Sequence, residues 1–243
     1  MDLNVLAVRR IIEFCKTVKD LKSVVHISTA YAHTNRDFIE ERVYDPAVEP
    51  QRLIDLTANL DDDMAEAVTP HFLGVRPNSY TFTKSIAEVV MATEGRDLPA
   101  VIVRPSIVSC TWKDPLPGWV DNYNGPVGVI YAIGTGMARV FPGDKNLCAD
   151  VVPVDIAANY TIGAAWYAAT RLYPNVTETP VFNCTVSGQN PAHWDVWEKY
   201  MVTGAEKYPL DKRCIRTPAF KFIPSKNPRE YEVCVLAGLL LWV

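Results

Sequence analysis

The sequence predicts an α/β fold with a parallel sheet, and two neighbouring segments carry this prediction. Residues 79–95 have the apolar spacing of a helix, with Asn78 as its N-cap and Gly95 as its stop. Residues 98–108 follow at once, and their VIV run is typical of a strand buried on both faces of a parallel sheet. A helix that passes into such a strand through a short connection indicates α/β architecture.

The other predicted elements extend this alternation of helices and strands. The polar stretch of residues 33–78 contains four prolines and is expected to hold one or two short helices around residues 52–67. Long segments of this kind in compact domains are usually functional or disordered, so we expect an insertion that lies over a site. The remaining predicted helices are residues 3–18, 126–140 and 156–171, and the remaining strands are residues 24–28 and 180–186.

Composition indicates a folded protein with no nucleic-acid partner. Apolar residues make up 49% of the 243 residues, which is enough for a packed core, and the formal charge of −4 argues against a basic nucleic-acid-binding surface. The six cysteines form no CxxC pair and the four histidines have no partners at ligand spacing, so we expect no disulfide framework and no metal site. Reduced thiols are typical of an intracellular protein.

Tyr80 and Lys84 form a Y-x-x-x-K pair on one face of the predicted helix. A lysine ammonium beside a phenol favours the ionised phenol, so such a tyrosine can exchange a proton with a carbonyl oxygen near neutral pH. The lysine can also hold the ribose hydroxyls of a nicotinamide cofactor. A second pair of the same spacing, Tyr208 and Lys212, is expected in a surface loop because Pro209 follows the tyrosine.

Ser28 and Thr29 lie at the carboxyl end of the predicted strand of residues 24–28. Open parallel sheets bind ligands at this end of their strands, and a hydroxyl that faces a Tyr/Lys helix would complete a small oxyanion site. The alternative is that both hydroxyls only satisfy backbone groups in a strand-end turn.

A glycine-rich phosphate loop of the form GxGxxG follows none of the predicted strands. The nearest match, Gly134-Thr135-Gly136, has Arg139 in the place of the third glycine. We therefore expect a helix with two closely packed glycines there, and not a dinucleotide-binding loop.

Six segments in order resemble a known family over roughly residues 3–200: VVHISTAYAHTNR, RPNSYTFTKSIAE, VIVRPSIV, WKDPLPGWVDNYNGPVG, ADVVPVDIAAN and VFNCTVSGQNPAHW. Together they resemble the alcohol-forming fatty acyl-CoA reductases, which are extended short-chain dehydrogenase/reductases also called male-sterility-type reductases. PLPGWVDNYNGP and RPNSYTFTK are much more specific signals than the Tyr/Lys spacing.

The resemblance implies a Rossmann-type, doubly wound parallel sheet that binds NADPH and reduces long-chain fatty acyl-CoA to fatty alcohol through an aldehyde. By motif, Tyr80 is the proton donor, Lys84 its partner and ribose ligand, and Thr29, or else Ser28, the hydroxyl partner. The residues implied to line the nicotinamide are Pro105, Ser106, Ile107 and Val108.

Family members begin with a strand and a glycine-rich loop, and they continue into a C-terminal domain. We therefore expect residues 1–200 to be a partial NAD(P)-binding domain with substrate-binding insertions, lacking its first strands and loop. Residues 201–243 are expected to be a linker and the start of a truncated C-terminal region. On this expectation the isolated chain binds NADPH poorly or not at all, and the full-length parent is the enzyme.

The resemblance also implies that the full-length protein is associated with a membrane, on the cytosolic face of the peroxisome or endoplasmic reticulum. The apolar run VCVLAGLLLWV at residues 233–243 is too short to cross a bilayer by itself.

Two other functions stay open on the sequence. Another extended short-chain dehydrogenase, such as a sugar-nucleotide epimerase or dehydratase, would share Tyr80, Lys84 and the RPSIV turn but is not expected to carry PLPGWVDNYNGP. A non-catalytic remnant that binds only acyl chains or partner subunits is the third hypothesis.

Overall fold

The computed structural model describes residues 1–171, 178–209 and 219–223, which divide into two units. Unit 1 is formed by the described residues of 1–106 and 157–185, and unit 2 by those of 107–156 and 186–243. The helices are α1 Ala7–Thr17, α2 Pro50–Thr57, α3 Asp62–Leu73, α4 Ser79–Glu94, α5 Pro126–Gly134, α6 Val154–Arg171 and α7 Trp194–Lys207. The strands are β1 Val24–Ile27, β2 Ala100–Pro105, β3 Ile107–Ser109, β4 Val140–Pro142, β5 Val151–Pro153, β6 Val181–Cys184 and β7 Lys221–Ile223.

Unit 1 is built on a parallel sheet of three strands in the order β1-β2-β6. The central strand β2 pairs Val101 with Val25 on one side and Ile102 with Val181 on the other. Its residues 101–103 are at most 1% exposed. The prediction of a doubly buried strand is therefore confirmed, because the apolar run fills the middle of the sheet.

Helices cover both faces of this sheet. Val181 belongs to the core formed with α1 and α4, in which Ile86 and Ile102 are completely buried. The next strand residue, Phe182, points to the opposite face and its ring lies 5.4 Å from that of Tyr167 on α6. The arrangement is that of a doubly wound α/β sheet.

The helix that carries the Tyr/Lys pair begins and ends where the sequence predicts. Asn78 caps α4, since its Oδ1 accepts a hydrogen bond of 3.0 Å from the backbone N–H of Thr81. Gly95 follows the last helical residue, Glu94. The helix buries the middle of its length, including Ile86 and Val90, against the sheet.

Unit 2 contains two pairs of short parallel strands, β3 with β5 and β4 with β7. The N–H groups of Trp112, Lys113 and Asp114 donate to the Asp155 carboxylate over 3.0, 2.9 and 3.2 Å. These bonds lower the pKa of Asp155 to about 2 and hold the start of the WKDPLPGWVDNYNGP segment.

Two predictions for residues 126–140 are wrong. The helix ends at Gly134, and residues 140–142 form β4 instead. Gly136 has a φ of +75°, a conformation that glycine adopts without steric cost, so the chain turns away from the helix axis there. Gly134 is therefore the buried last residue of the helix and Gly136 makes the turn after it, so the two glycines do not lie together inside a helix.

The predicted strand of residues 98–108 is interrupted, because β2 ends at Pro105 and β3 begins at Ile107 in the other unit.

The predicted domain boundary near residue 200 stays a prediction. The run at residues 233–243 and Lys212 lie outside the described residues.

None of the helices in the described residues is long and apolar enough to span a membrane.

Candidate active site

The Tyr/Lys pair lies in the first half of α4. Tyr80 is half exposed, and the Lys84 ammonium lies 5.9 Å from the centre of its ring. The pair thus shares one face of the helix, as its four-residue spacing predicts. A half-exposed phenol at this position is open to a substrate.

Lys84 reaches from α4 to the end of β1, where its ammonium donates a hydrogen bond of 2.9 Å to the carbonyl oxygen of Ile27. Burial lowers the pKa of Lys84, and the carboxylate of Glu88 opposes that shift. The bond brings the helix to the carboxyl end of the strand, which is the ligand-binding end in open parallel sheets.

Thr29 and Ser28 follow Ile27 and differ in what their hydroxyls do. Thr29 is buried, and its Oγ1 accepts a hydrogen bond of 3.2 Å from Tyr31 N at the start of a short 3₁₀ turn, Ala30–His33. That bond leaves the Thr29 O–H group available to donate to a substrate oxygen. The Ser28 hydroxyl instead donates to a carboxylate oxygen of Glu88, so its proton is already engaged.

A buried cluster behind these hydroxyls was not predicted from the sequence. Glu88 lies one turn after Lys84 and is completely buried, as is Arg104 of β2, whose Nε and Nη2 donate to it over 2.8 and 2.7 Å. His33 Nε2 lies 2.9 Å from the second carboxylate oxygen. Burial opposes ionisation of Glu88, but the bonds from His33, Arg104 and Ser28 outweigh it and lower its pKa to about 2.

One sequence signal could have located this cluster. Arg104 interrupts the apolar strand VIVRPS, and a charge at a buried strand position requires a buried partner. Its guanidinium also donates to the carbonyl oxygens of Glu40 and Arg42 over 3.0 and 2.9 Å, which ties the polar segment after β1 to the cluster.

The residues expected to line the nicotinamide divide between the units. Pro105 and Ser106 end the sheet of unit 1, where Ser106 N donates to Cys184 O over 3.0 Å. Ile107 and Val108 begin β3 of unit 2 and pair with Val151 and Val152. Ser106 Oγ is buried without a hydrogen-bond partner in the described part of the chain.

The described residues contain no group of three or more His, Cys, Asp or Glu side chains that could hold a metal ion.

Comparison with known proteins identifies the family. An NAD-binding family model described as male sterility protein matches residues 1–161. The chain belongs to the male sterility protein family. Members of the family have the nicotinamide-cofactor-binding fold that the parallel sheet of unit 1 indicates.

Curated relatives in the male sterility protein family carry the name fatty acyl-CoA reductase. Fatty acyl-CoA reductase 1 of Xenopus laevis is 43% identical over 212 residues, which are 87% of this chain and 41% of that protein. Fatty acyl-CoA reductase 2 of Mus musculus is 38% identical over 231 residues, 95% of this chain and 44% of that protein. The chain therefore spans about two fifths of the length of these relatives.

The Rossmann-type α/β fold is confirmed by a solved structure as well. A putative epimerase from Burkholderia cenocepacia J2315 superposes with a TM-score of 0.54 at 16% identity, covering 99% of this chain and 68% of that one. At this level of identity the likeness concerns the fold alone.

Proposed function

We propose that the protein carrying this chain reduces long-chain fatty acyl-CoA to fatty alcohol with NADPH. The observation that carries the proposal is the hydrogen bond from Lys84 to Ile27 O, which brings the Tyr80 helix to the strand end that bears Thr29. Identity of 43% to a fatty acyl-CoA reductase over 87% of the chain supports the choice of substrate.

Each side chain has a distinct part in this reaction. When bound, NADPH would supply one hydride per molecule, so the reduction of the thioester carbon and that of the aldehyde carbon would consume two NADPH, with NADP⁺ exchanged for fresh NADPH between them. The hydroxyls of Tyr80 and Thr29 donate hydrogen bonds to the carbonyl oxygen and stabilise the negative charge that develops on it. Tyr80 gives up its proton to that oxygen, and the resulting hemithioacetal releases CoA as the thiol.

The same groups serve the second reduction. Tyr80, reprotonated from solvent, again donates its proton as the aldehyde oxygen becomes an alcohol. Lys84 places a positive charge beside the phenol between the two steps, since its ammonium lies 5.9 Å from the centre of the Tyr80 ring. Both proton transfers require only one phenol and one fixed ammonium on α4.

The residues proposed to hold the cofactor are Tyr80, Lys84, Pro105, Ser106, Ile107 and Val108. Ser106 Oγ, which is buried and has no hydrogen-bond partner among the described residues, supports this set, since a cofactor hydroxyl or amide would satisfy it. The choice of NADPH over NADH is what the resemblance to the alcohol-forming fatty acyl-CoA reductases implies.

An apolar groove in unit 2 suits the acyl chain of this substrate. The groove lies between α5 and α7, has a volume of about 640 Å³, and is lined by side chains such as Val127, Ile130, Trp197 and Met201. Small-molecule sites typically measure about 300–1,000 Å³ and are lined mainly by apolar and aromatic groups. We propose that the groove binds methylene groups of the acyl chain.

We further propose that the whole protein works at the cytosolic face of the peroxisomal or endoplasmic-reticulum membrane. Cys15, Cys110 and Cys148 form no disulfide within the described residues, which supports a reducing compartment.

The test is NADPH consumption by the protein that carries this chain, with palmitoyl-CoA in one arm and a UDP-sugar in the other. We expect consumption and hexadecanol only with palmitoyl-CoA. Conversion of the UDP-sugar would instead identify a sugar-nucleotide enzyme of the same fold. Absence of turnover with either, in a protein that retains its fold, would favour a non-catalytic role.

A further inference from the structure

The carboxylate of Glu88 joins three separate segments of unit 1. One oxygen accepts from Ser28, at the end of β1, and from Arg104 Nε. The other accepts from Arg104 Nη2 over 2.7 Å and lies 2.9 Å from His33 Nε2, at the end of the 3₁₀ turn. All four side chains are at most 5% exposed.

In the chain, Thr29 lies between Ser28 and His33, the two residues whose side chains contact the Glu88 carboxylate. Its backbone is fixed on both sides, because Ser28 N donates to Val103 O over 2.8 Å and Ala32 N donates to Thr29 O over 3.1 Å. The short turn Ala30–His33 thus ends at a residue beside Glu88, and Ser28, bonded to Glu88, lies two residues before its start. Thr29, the N-cap of this turn, is the residue whose hydroxyl is proposed to meet the substrate.

Lys84 and Glu88 fasten α4 to the same strand end from successive helical turns. Lys84 donates to Ile27 O, and Glu88 accepts from the next residue, Ser28. The position of the Thr29 hydroxyl relative to Tyr80 on that helix is therefore set by two side chains four residues apart. The hydroxyl pair needs this fixed geometry because oxyanion donors act only when preorganised.

We propose that Glu88 is a positioning residue that holds the Thr29 hydroxyl in its catalytic place through Ser28 and His33. This proposal rests on the proposed function in one respect, which is the role of the Thr29 hydroxyl as a donor to the substrate oxygen. Glu88 is enclosed by protein and does not touch substrate. Ser28 acts through Glu88 and Thr29, and not as the hydroxyl that binds the substrate oxygen.

The first test measures amide hydrogen exchange at Tyr31, whose N–H donates to Thr29 Oγ1. Ser28→Ala removes one bond to Glu88 without leaving a charge unpaired, and Glu88→Gln removes the charge itself. Both are expected to speed exchange at Tyr31 about tenfold, the effect of losing one hydrogen bond to a charged group. Ser85→Ala is the matched control, because Ser85 is a buried serine on α4, the helix of Glu88, and its hydroxyl donates to Phe82 O.

The second test is a double-mutant cycle on kcat with palmitoyl-CoA. Ser28→Ala is expected to lower kcat about tenfold in the protein with Thr29 and to have no further effect after Thr29→Val. A merely structural role would lower stability in both backgrounds but would not make the loss of kcat depend on Thr29.

Unchanged exchange at Tyr31 in Ser28→Ala would overturn the proposal, even if kcat fell, since Ser28 would then act directly. Faster exchange with an undiminished loss of kcat in the Thr29→Val background would also overturn it. If Glu88→Gln fails to fold, Ser28→Ala decides alone. If the parent protein does not turn over acyl-CoA, the proposed function fails, and the exchange experiment still decides whether Glu88 positions Thr29.

Discussion

The ammonium of Lys84 lies 2.9 Å from the carbonyl oxygen of Ile27, so the helix that carries Tyr80 is fastened to the last residue of β1. A strand carbonyl at the edge of a sheet needs a donor, and here the donor comes from the same helix as the phenol. The bond fixes the distance between the phenol and the hydroxyls that follow β1. The lysine therefore has a role in the protein before any cofactor arrives.

Lys84→Met should lower both turnover and cofactor affinity, because it removes the bond to Ile27 O and the donor proposed for the ribose hydroxyls. We expect kcat with palmitoyl-CoA to fall at least about 100-fold, the usual contribution of a positioned proton-transfer group. Steady-state kinetics and titration with NADPH measure the two effects. Lys16→Met, on the exposed side of α1, is the control and should leave both unchanged.

Glu88 should stabilise the fold in a pH-dependent way. Its pKa is lowered from 4.5 to about 2, so its contribution is complete above about pH 4.5 and is lost as the pH falls towards 2. The shift corresponds to about 3 kcal/mol of unfolding free energy. Urea unfolding at a series of pH values should therefore show a weaker pH dependence for Glu88→Gln than for the parent between pH 4.5 and 2.

The control for this experiment is Glu66→Gln, which removes one exposed carboxylate from α3. Its unfolding free energy should follow that of the parent chain. Parallel curves for the parent and Glu88→Gln would contradict the assignment of this acid sensitivity to the buried cluster.

A larger side chain in place of Gly204 should block the apolar groove of unit 2. Gly204 lines the groove on α7, and a Cβ added there would meet no atom of the described residues within 4 Å. Gly204→Phe should lower kcat/KM for palmitoyl-CoA at least about tenfold, since each methylene kept out of the groove loses about 0.8 kcal/mol. The value for butyryl-CoA should change little.

Gly163→Phe provides a matched comparison, because Gly163 is also a helical glycine with open space beside it, on α6. It should affect neither substrate. Equal losses for long and short acyl chains in Gly204→Phe would show that the groove does not bind the acyl chain.

The sequence predicts the sheet of unit 1 and the helix of the candidate site because both depend on local patterns. The apolar run of β2 and the Asn78 cap of α4 are readable without the fold. The strands β3, β4, β5 and β7 have three residues each, which is too short for a two-residue alternation to be distinguished from chance.

The buried cluster could not be assembled from the sequence for a different reason. Ser28 and Glu88 are 60 residues apart and Glu88 and Arg104 are 16 apart, so only the packing of α4 on β1 and β2 joins them. The residue types and the strand-end position alone do not separate Ser28 from Thr29, and only the family resemblance favours Thr29. Their surroundings separate them, because the carboxylate of Glu88 lies beside one and the start of a turn beside the other.

The most direct measurement is NADPH oxidation with palmitoyl-CoA by Tyr80→Phe, alongside Tyr160→Phe as a control on α6. The phenol of Tyr80 is the proposed proton donor, so its removal should lower kcat at least about 100-fold, while NADPH still binds because Lys84 and the other proposed cofactor residues are unchanged. Tyr160→Phe should behave as the parent protein. Turnover of palmitoyl-CoA by Tyr80→Phe at close to the parent rate would contradict the account, because the reaction would then not use this site.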